Sequence, residues 1–360
     1  MPANLPTANC IWNSFRSSGK RHLILTGGRG SGKTTLLRQL FPQEQPGLTT
    51  WALPGLAVYL RNNRTGETAQ VGRFDPSLPG PENRMTLLED GFATLGVATL
   101  RECMESDSPW VTVDEIGYLE AQCGIYRDAL NDLLETKQVA AVVRKQNLPF
   151  LRELCRREDA FCVDLDEPFG SIGCVIMASG LGKRFGGNKL MADFLGEPMI
   201  CRVLDATEGI FAQRVVVTRS PEVAALCQTR GIRAVLHELP HRSDTVRLGL
   251  EAMDGIHRCM FTAADQPLLR QETVAALALA AANAPEQIWR PICQGEPGAP
   301  VIFPGWTFPE LLCLPEGKGG GYVVKKYPDR LRTVTVRDWY ELKDADTPED
   351  LTQLINTQIG

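Results

Sequence analysis

Short apolar runs alternate with longer amphipathic runs along most of the chain. An apolar run at 22–26 precedes a helical pattern at 33–41, and the same order returns at 110–116 and 126–134. Continuous apolar runs of this length are typical of buried strands, and a 3.6-residue period is typical of helices. This order predicts βα units and therefore an α/β fold, with two three-layer α/β domains.

One interruption of this order marks the expected domain boundary. Residues 167–173 have the sequence EPFGSIG, and a new series of strands and helices begins at Ile172. A chain of 360 residues is also longer than one hydrophobic core usually organises. We therefore expect one domain over 1–168 and a second over 169–360.

Within the first domain, one proline- and glycine-rich stretch interrupts the alternation. Residues 76–81 have the sequence PSLPGP, which is typical of a surface loop. The pattern behind it predicts a helix over 82–105.

Composition excludes several classes of protein. Hydrophobic residues make up 43% of the chain and charged residues 22%, which is ordinary for a globular protein. The net charge of −5 lacks the basic excess expected of a nucleic-acid or anionic-membrane partner. No apolar run approaches the length of a membrane span, and residues 1–20 lack the order of a signal peptide, so we expect a cytoplasmic protein without a membrane or nucleic-acid partner.

The first candidate site is a glycine-rich loop behind the first strand. Residues 27–34 have the sequence GGRGSGKT, which fits GxxxxGK[ST] between a strand and a helix. Such a loop turns backbone N–H groups towards a phosphate chain, with Lys33 on the β/γ-phosphates and Thr34 on Mg²⁺. The alternative is a glycine-rich turn that matches by accident. The expected nucleotide-binding residues are Gly27, Gly30, Gly32, Lys33, Thr34 and Thr35.

A strand ending in two carboxylates follows downstream. Asp114 and Glu115 end the apolar run VTV, as in a Walker B segment, where Asp114 would hold Mg²⁺ and Glu115 would polarise the attacking water. The alternative is an acidic pair that caps the next helix. With Gly117 and Glu120, the segment resembles the small nucleoside-triphosphatase family whose signature is DEIG after a P-loop. That resemblance implies Mg²⁺-dependent hydrolysis of ATP or GTP, and it leaves Arg144 either as a transition-state cation or as a solvated strand-end arginine.

The second candidate site lies in the second domain, again directly behind a strand. Residues 177–189 have the sequence MASGLGKRFGGNK, a glycine- and cation-rich loop that is not a Walker A sequence. The spacing resembles the signature of the nucleotidyltransferase superfamily, whose domain is Rossmann-like. The resemblance implies that Arg184 meets the β/γ-phosphates and that Lys189 meets the α-phosphate or the nucleophile. The nucleotide-binding residues it implies in the loop are Ala178, Ser179, Gly180, Leu181 and Gly182; the alternative is a dinucleotide-binding turn or a flexible loop.

Further carboxylates extend this second site. Asp265 ends an apolar strand, where an open α/β sheet binds ligands, and is expected to bind Mg²⁺. Asp344 and Asp346 lie in DADTPEDL, which resembles the terminus of the molybdenum-cofactor nucleotidyltransferases, so either is a candidate second metal ligand or helix-start residue. Thr245 aligns with a helix start of the same subgroup, where it contacts the nucleotide or caps the helix.

The resemblance also implies a substrate pair. The subgroup transfers a nucleotidyl group to molybdopterin and releases pyrophosphate. The loop keeps Ala178 and lacks the double glycine of guanylyl-transferring relatives, which favours CTP and a product used by a molybdoenzyme of the xanthine dehydrogenase type. The alternatives are guanylyl transfer, a sugar-1-phosphate acceptor, or a P-loop domain that acts as an insertion chaperone for the cofactor.

Overall fold

The structure is a computed structural model that describes residues 6–79, 84–182 and 184–359. It divides into two compact units, with one division between Pro168 and Phe169. The first helix, α1 (Ala8–Ser18), belongs to the C-terminal unit rather than to the N-terminal one.

Helix α1 corrects the expected range of the first domain. Its apolar side buries Ile11 and Phe15, and the Ser14 hydroxyl donates to the carbonyl of Ala276 at 2.8 Å. Ala276 lies on a helix more than 250 residues away in the chain, and the local pattern of α1 carries no information about this partner. The N-terminal unit therefore begins at Gly19, not at residue 1.

The N-terminal unit contains one eight-stranded sheet in the order β5-β4-β3-β2-β6-β7-β1-β8. From β2 to β8 the neighbours are parallel, and β2 to β5 form an antiparallel extension. The strands are β1 (His22–Thr26), β2 (Gly47–Leu53), β3 (Ala57–Asn62), β4 (Thr68–Phe74), β5 (Met85–Leu87), β6 (Trp110–Ile116), β7 (Gln138–Val143) and β8 (Ala160–Asp164). The helices are α2 (Lys33–Leu40), α3 (Glu89–Gly91), α4 (Val97–Glu105), α5 (Tyr118–Gln122), α6 (Gly124–Thr136) and α7 (Pro149–Arg156).

One expected helix starts later than its sequence pattern indicates. Met85–Leu87 pair with β4 as an edge strand, and the helix begins at Glu89, with a π-helical segment at Phe92–Gly96 between α3 and α4. Residues 76–79 of the expected loop form neither helix nor strand, and residues 80–83 lie outside the described residues. An edge strand of three residues is too short to show an alternation of its own, so the sequence pattern assigned these residues to the predicted helix.

The C-terminal unit contains a second large sheet in the order β13-β12-β9-β14-β17-β15-β16, with β18 paired to β15. It is parallel from β13 to β14, and β17 joins β14 antiparallel. The strands are β9 (Gly173–Ala178), β10 (Asp193–Phe194), β11 (Glu197–Pro198), β12 (Gln213–Thr218), β13 (Arg233–Leu236), β14 (Arg258–Ala263), β15 (Ile288–Cys293), β16 (Glu296–Pro297), β17 (Val301–Pro304) and β18 (Leu331–Thr335). The helices are α8 (Ile200–Ala206), α9 (Pro221–Thr229), α10 (Arg242–Glu251), α11 (Gln271–Asn283), α12 (Phe308–Leu312), α13 (Gly321–Lys326) and α14 (Pro348–Ile359).

Both units are α/β, as the alternation predicts, and each buries its own core of strand and helix side chains. In the second sheet the parallel order ends at β14, where β17 returns antiparallel and pairs with both β14 and β15. In the described part of the chain, no helix is both long and apolar enough to cross a membrane.

Candidate active sites

The glycine-rich loop of the N-terminal unit joins β1 to the first turn of α2. Gly27 has a φ of 144°, and a Cβ there would lie 2.8 Å from Ser31 Oγ, so the turn requires glycine. The Lys33 ammonium lies back over the loop and donates to the carbonyls of Gly27 and Gly28 at 2.9 and 2.7 Å. The loop therefore holds its lysine at the place where the phosphate chain is expected.

The residues expected to hold Mg²⁺ meet below this loop. Thr34 Oγ1 donates to Asp114 Oδ1 at 3.0 Å, and Asp114 is buried at the end of β6. Burial raises the pKa of Asp114, although the Thr34 hydroxyl opposes the shift. A buried carboxylate beside a hydroxyl fits a cation better than it fits solvent, because a divalent ion would offset the desolvation of the charge.

Strand order explains why Arg144 reaches this site. Because β7 lies between β1 and β6, the residue after β7 lies between the loop and the two carboxylates. Arg144 Nε forms an ion pair with Glu115, and 39% of the arginine side chain stays exposed. A role as a transition-state cation stays a prediction. A cavity of about 730 Å³ is lined by Gly27, Gly28, Arg29, Gly30, Gly32, Lys33, Thr34, Thr35, Glu115, Glu120, Arg144 and Lys145 among others.

Glu120 is fully buried at the floor of this cavity. Its Oε2 accepts the Gly117 N–H at 2.8 Å, and its Oε1 has no hydrogen-bond partner. Burial raises the pKa of Glu120 to about 7, although these backbone bonds and Arg144 oppose the shift. About half of the Glu120 carboxyl groups are therefore protonated near pH 7.

The variant Glu120→Gln is expected to stabilise the N-terminal unit at pH 8 and to change little at pH 5. Because the folded pKa lies above the usual 4.5, the wild type loses stability as the pH rises towards 7. Calorimetry should show a gain of roughly 3–8 °C at pH 8. Glu153→Gln, exposed on α7, is the control. An equal gain at both pH values would contradict the titration.

Sequence analysis missed one anchor of the loop. The Asp166 carboxylate accepts the Gly28 N–H at 3.0 and 2.9 Å, and Lys145 bridges Asp164 and Asp166. These residues follow β8 and β7, the two strands beside β1. The one signal that could have identified these residues is their place at or just after the ends of apolar strands.

The second glycine-rich loop leaves β9 in the C-terminal unit. Gly182 has a φ of 58°, and a Cβ there would lie 2.4 Å from the carbonyl of Gly187, so this fold of the loop requires glycine. Lys189, at the end of the loop, donates to Asp265 at 2.5 Å and to Asp346 at 2.9 Å. Burial opposes its charge, but the two carboxylates raise the pKa of Lys189.

Three carboxylates meet at this end of the cavity. Asp346 also pairs with Arg184 at 3.5 Å, while Arg184 otherwise extends into solvent. Asp344 lies at the rim, where the surrounding protein and the charge of Asp265 raise its pKa to about 6. Mutual repulsion of carboxylates at a strand end is an arrangement that a divalent cation would relieve.

No set of three or more His, Cys, Asp or Glu side chains in the described ranges is arranged as a metal cage. Mg²⁺ in phosphoryl-transfer sites is held by one or two carboxylates together with substrate phosphates. The residues present fit that mode of binding at both sites. The assignment of Thr34, Asp114, Asp265, Asp344 and Asp346 as ligands stays a prediction.

The expected nucleotide contacts of this loop divide into two groups. Ser179, Gly180, Leu181, Gly182 and Thr245 line a cavity of about 580 Å³ together with the Lys189 and Asp265 pair. Ala178 is buried at the end of β9 and is not among the lining residues, so its side chain lies behind the wall.

Basic side chains also line this cavity, which sequence analysis did not predict. Arg219, His241 and Arg242 line it, and Arg219 donates to the carbonyl of Pro240 at 2.8 Å. Arg219 Nε is buried without a partner. Arg219 follows β12, which lies beside β9, and the other two follow β13, which lies next to β12 at the edge of the sheet. Their place just after short apolar strands was the available signal.

Comparison with known proteins matches each unit to a family. Residues 174–331 match the model described as MobA-like NTP transferase domain, and residues 59–168 match the model described as NTPase. The second match begins after the glycine-rich loop at 27–34.

Three relatives illustrate the likeness. The nucleoside-triphosphatase THEP1 of Thermotoga sp. is 24% identical over 151 residues, which cover 40% of this chain and 86% of that protein. The 3-deoxy-manno-octulosonate cytidylyltransferase of Neisseria meningitidis is 43% identical over 61 residues, 17% of this chain. The chain spans about a quarter of the length of that cytidylyltransferase, 24%. The crystal structure of Rv0371c from Mycobacterium tuberculosis has a TM-score of 0.46 at 21% identity, covering 52% of this chain and 98% of that one.

The predicted pairing of two families is confirmed at this level, since each half matches the kind of domain that its glycine-rich loop indicates. The chain carries an NTPase domain of the THEP1-like kind in its N-terminal half and a MobA-like NTP transferase domain in its C-terminal half.

Proposed function

We propose that the C-terminal unit transfers a nucleotidyl group, CMP from CTP, to a phosphate-bearing acceptor of the molybdopterin type, and that the N-terminal unit hydrolyses nucleoside triphosphates. The observation that carries the first activity is Lys189, whose ammonium is held by Asp265 and Asp346 at the end of a glycine-rich loop. This places a fixed cation beside carboxylates in a cavity large enough for a nucleotide.

Transfer requires charge stabilisation more than covalent chemistry. An oxygen of the acceptor phosphate attacks the α-phosphorus, the bond from that phosphorus to the bridging oxygen breaks, and pyrophosphate leaves. Lys189 stabilises the negative charge that develops at the α-phosphate, and Arg184 neutralises the departing β/γ-phosphates. Mg²⁺ held by Asp265, with Asp344 or Asp346, supplies further charge neutralisation when it is bound.

Hydrolysis in the N-terminal unit uses a separate set of groups. Lys33 and the backbone N–H groups of its loop bind the phosphates, and Thr34 and Asp114 are the groups that would hold Mg²⁺. Glu115 orients the attacking water and accepts its proton. The ion pair with Arg144 holds the Glu115 carboxylate in place and keeps a cation close to the expected γ-phosphate position.

CTP is expected to exceed GTP in kcat/KM for transfer by at least about tenfold, or roughly 1.4 kcal/mol. The loop lacks the double glycine of guanylyl-transferring relatives, and a pocket shaped for a pyrimidine leaves polar groups unpaired against guanine. Pyrophosphate release with molybdopterin and each triphosphate measures the ratio. A preference for GTP would contradict the cytidylyl assignment and leave the transferase assignment intact.

A second candidate acceptor is a sugar acid. The local 43% identity to a 3-deoxy-manno-octulosonate cytidylyltransferase favours it, and the cationic side formed by Arg219, His241 and Arg242 suits a carboxylate as well as a phosphate. In that case an acceptor hydroxyl, rather than a phosphate oxygen, attacks the α-phosphorus.

One experiment separates these candidates. It uses CTP with a radioactive α-phosphate and detects which acceptor receives the label. Molybdopterin, 3-deoxy-manno-octulosonate and a hexose-1-phosphate are offered one at a time to the full chain. We expect label in the molybdopterin product, which a molybdoenzyme of the xanthine dehydrogenase type would then take up. Label only in the sugar-acid product would favour the second candidate, and no labelled product with any acceptor would contradict transfer.

A further inference from the structure

Two loops line the proposed nucleotide cavity in the C-terminal unit. The β9 loop, residues 179–182, contributes all four of its residues to the lining. The β13 loop, residues 237–242, contributes Pro240, His241 and Arg242. The two loops are 55 or more residues apart in sequence, so a contact between them joins separate parts of the cavity wall.

The contact between the loops is a hydrogen bond from a buried histidine. His237 Nε2 lies 2.8 Å from Ser179 Oγ, and both side chains are buried. Gly180, Leu181 and Gly182 have no polar side-chain atoms, so Ser179 is the one residue of the β9 loop able to make a side-chain hydrogen bond.

The other bonds of the pair fix the direction of this one. The Ser179 hydroxyl donates to the carbonyl of Val217 at 3.0 Å, so its oxygen accepts from His237. On the other side of the ring, His237 Nδ1 accepts the Leu239 N–H at 3.2 Å. The imidazole is therefore neutral, with its proton on Nε2.

The charges around His237 agree with this state. Burial and the positive charge of Arg219 lower the pKa of His237, and Asp244 at the start of α10 opposes them. A second proton on Nδ1 would also face the Leu239 N–H.

We infer that His237 is a positioning residue for nucleotide binding, which acts by holding Ser179 and thereby fixes the β9 loop against the β13 loop. The inference rests on the proposed function of this cavity as a site for a nucleoside triphosphate. Because the Ser179 hydroxyl is occupied by Val217 and His237, it contributes to binding through the loop it anchors rather than through contact with the base. The loop backbone at 180–182 is the part presented to the nucleotide.

Three substitutions separate this role from a general effect on folding. His237→Asn keeps an acceptor for the Leu239 N–H but is too short to reach Ser179. His237→Gln places an amide N–H near the position of Nε2 and can keep the bond to Ser179. Ser179→Ala removes the bond from the other side. The variants are made in a Lys33→Ala background, so that binding at the P-loop does not contribute.

The measurement is the Kd for CTP with Mg²⁺, and KM and kcat for transfer. Loss of one hydrogen bond should raise Kd and KM about three- to tenfold in His237→Asn and Ser179→Ala while kcat stays within about threefold. His237→Gln should stay within about twofold of the parent. The variant that combines His237→Asn with Ser179→Ala should bind CTP no more weakly than Ser179→Ala alone, because both changes break the same bond.

Hydrogen exchange of the amides at 180–182, without nucleotide, tests the tether itself. We expect faster exchange in His237→Asn and not in His237→Gln. Unchanged exchange together with an unchanged Kd in His237→Asn and Ser179→Ala would overturn the inference while the parent still binds CTP. A parent that binds no triphosphate would overturn the proposed function, and this inference with it.

Discussion

The variant Asp265→Asn is expected to lose nucleotidyl transfer by about 10²–10³-fold, while triphosphate hydrolysis continues at the wild-type rate. Asparagine keeps the size of the side chain but removes the charge that would hold Mg²⁺ against the triphosphate. It also removes one of the two carboxylates that fix the Lys189 ammonium. Both losses destabilise the transition state, because the negative charge on the phosphates is greatest there. Pyrophosphate release with CTP and molybdopterin measures transfer, and phosphate release measures hydrolysis.

The control for this variant is Asp254→Asn, an exposed aspartate of the same unit that lies outside the cavity. In Asp265→Asn the lysine keeps its bond to Asp346 at 2.9 Å, so the ammonium is not left without a partner and the fold is expected to persist. Circular dichroism melting curves check this. A folded Asp265→Asn protein that transfers at the wild-type rate would place the metal and the charge stabilisation elsewhere.

The features of both sites that could be predicted are each contained in one short segment of the sequence. The P-loop from Gly27 to Thr34, and the loop from Met177 to Lys189, each carry strand, turn and helix signals within about twenty residues. Asp265 belongs to the same class, because the end of an apolar strand is visible in the sequence. Local patterns of this kind need no knowledge of which elements are neighbours.

The parts that could not be predicted depend on neighbours far apart in the chain. The hydroxyl of Ser179 bonds to Val217 and to His237, 58 residues away, and the loop sequence does not show either partner. Arg219 reaches the cavity because β12 lies beside β9 in the sheet. Helix α1 has an ordinary amphipathic pattern, which shows that one side is buried but not which unit covers it.

Sheet order determines the position of Arg144 in the same way. The sequence places Arg144 after an apolar strand and leaves open whether the strand is at an edge or in the centre. In the structure β7 lies between the P-loop strand and the strand that carries Glu115, and the ion pair follows from that order. Strand order is a long-range property, since it depends on which connections cross the sheet, and a single sequence does not state it.

The variant Lys33→Ala is expected to reduce triphosphate hydrolysis by at least about 10²-fold and to leave nucleotidyl transfer within about twofold of wild type. The Lys33 ammonium lies over its own loop, bonded to the carbonyls of Gly27 and Gly28, where it can turn to the β/γ-phosphates without a change of backbone. Alanine leaves the backbone N–H groups and Thr34 in place but removes the ammonium that is expected on the β/γ-phosphates. The second site has its own cations, Arg184 and Lys189, and does not need Lys33.

Arg152→Ala, on helix α7 of the same unit, is the matched control because it removes an exposed cation outside the residues that line the cavity. Hydrolysis is followed by phosphate release with ATP, GTP and CTP, and transfer by pyrophosphate release with CTP and molybdopterin on the same preparation. Since each unit has its own glycine-rich loop, lysine and carboxylates, loss of one activity should not reduce the other. Equal loss of both activities in a folded Lys33→Ala protein would mean that the two loops serve one composite site, which would refute two independent active sites in this chain.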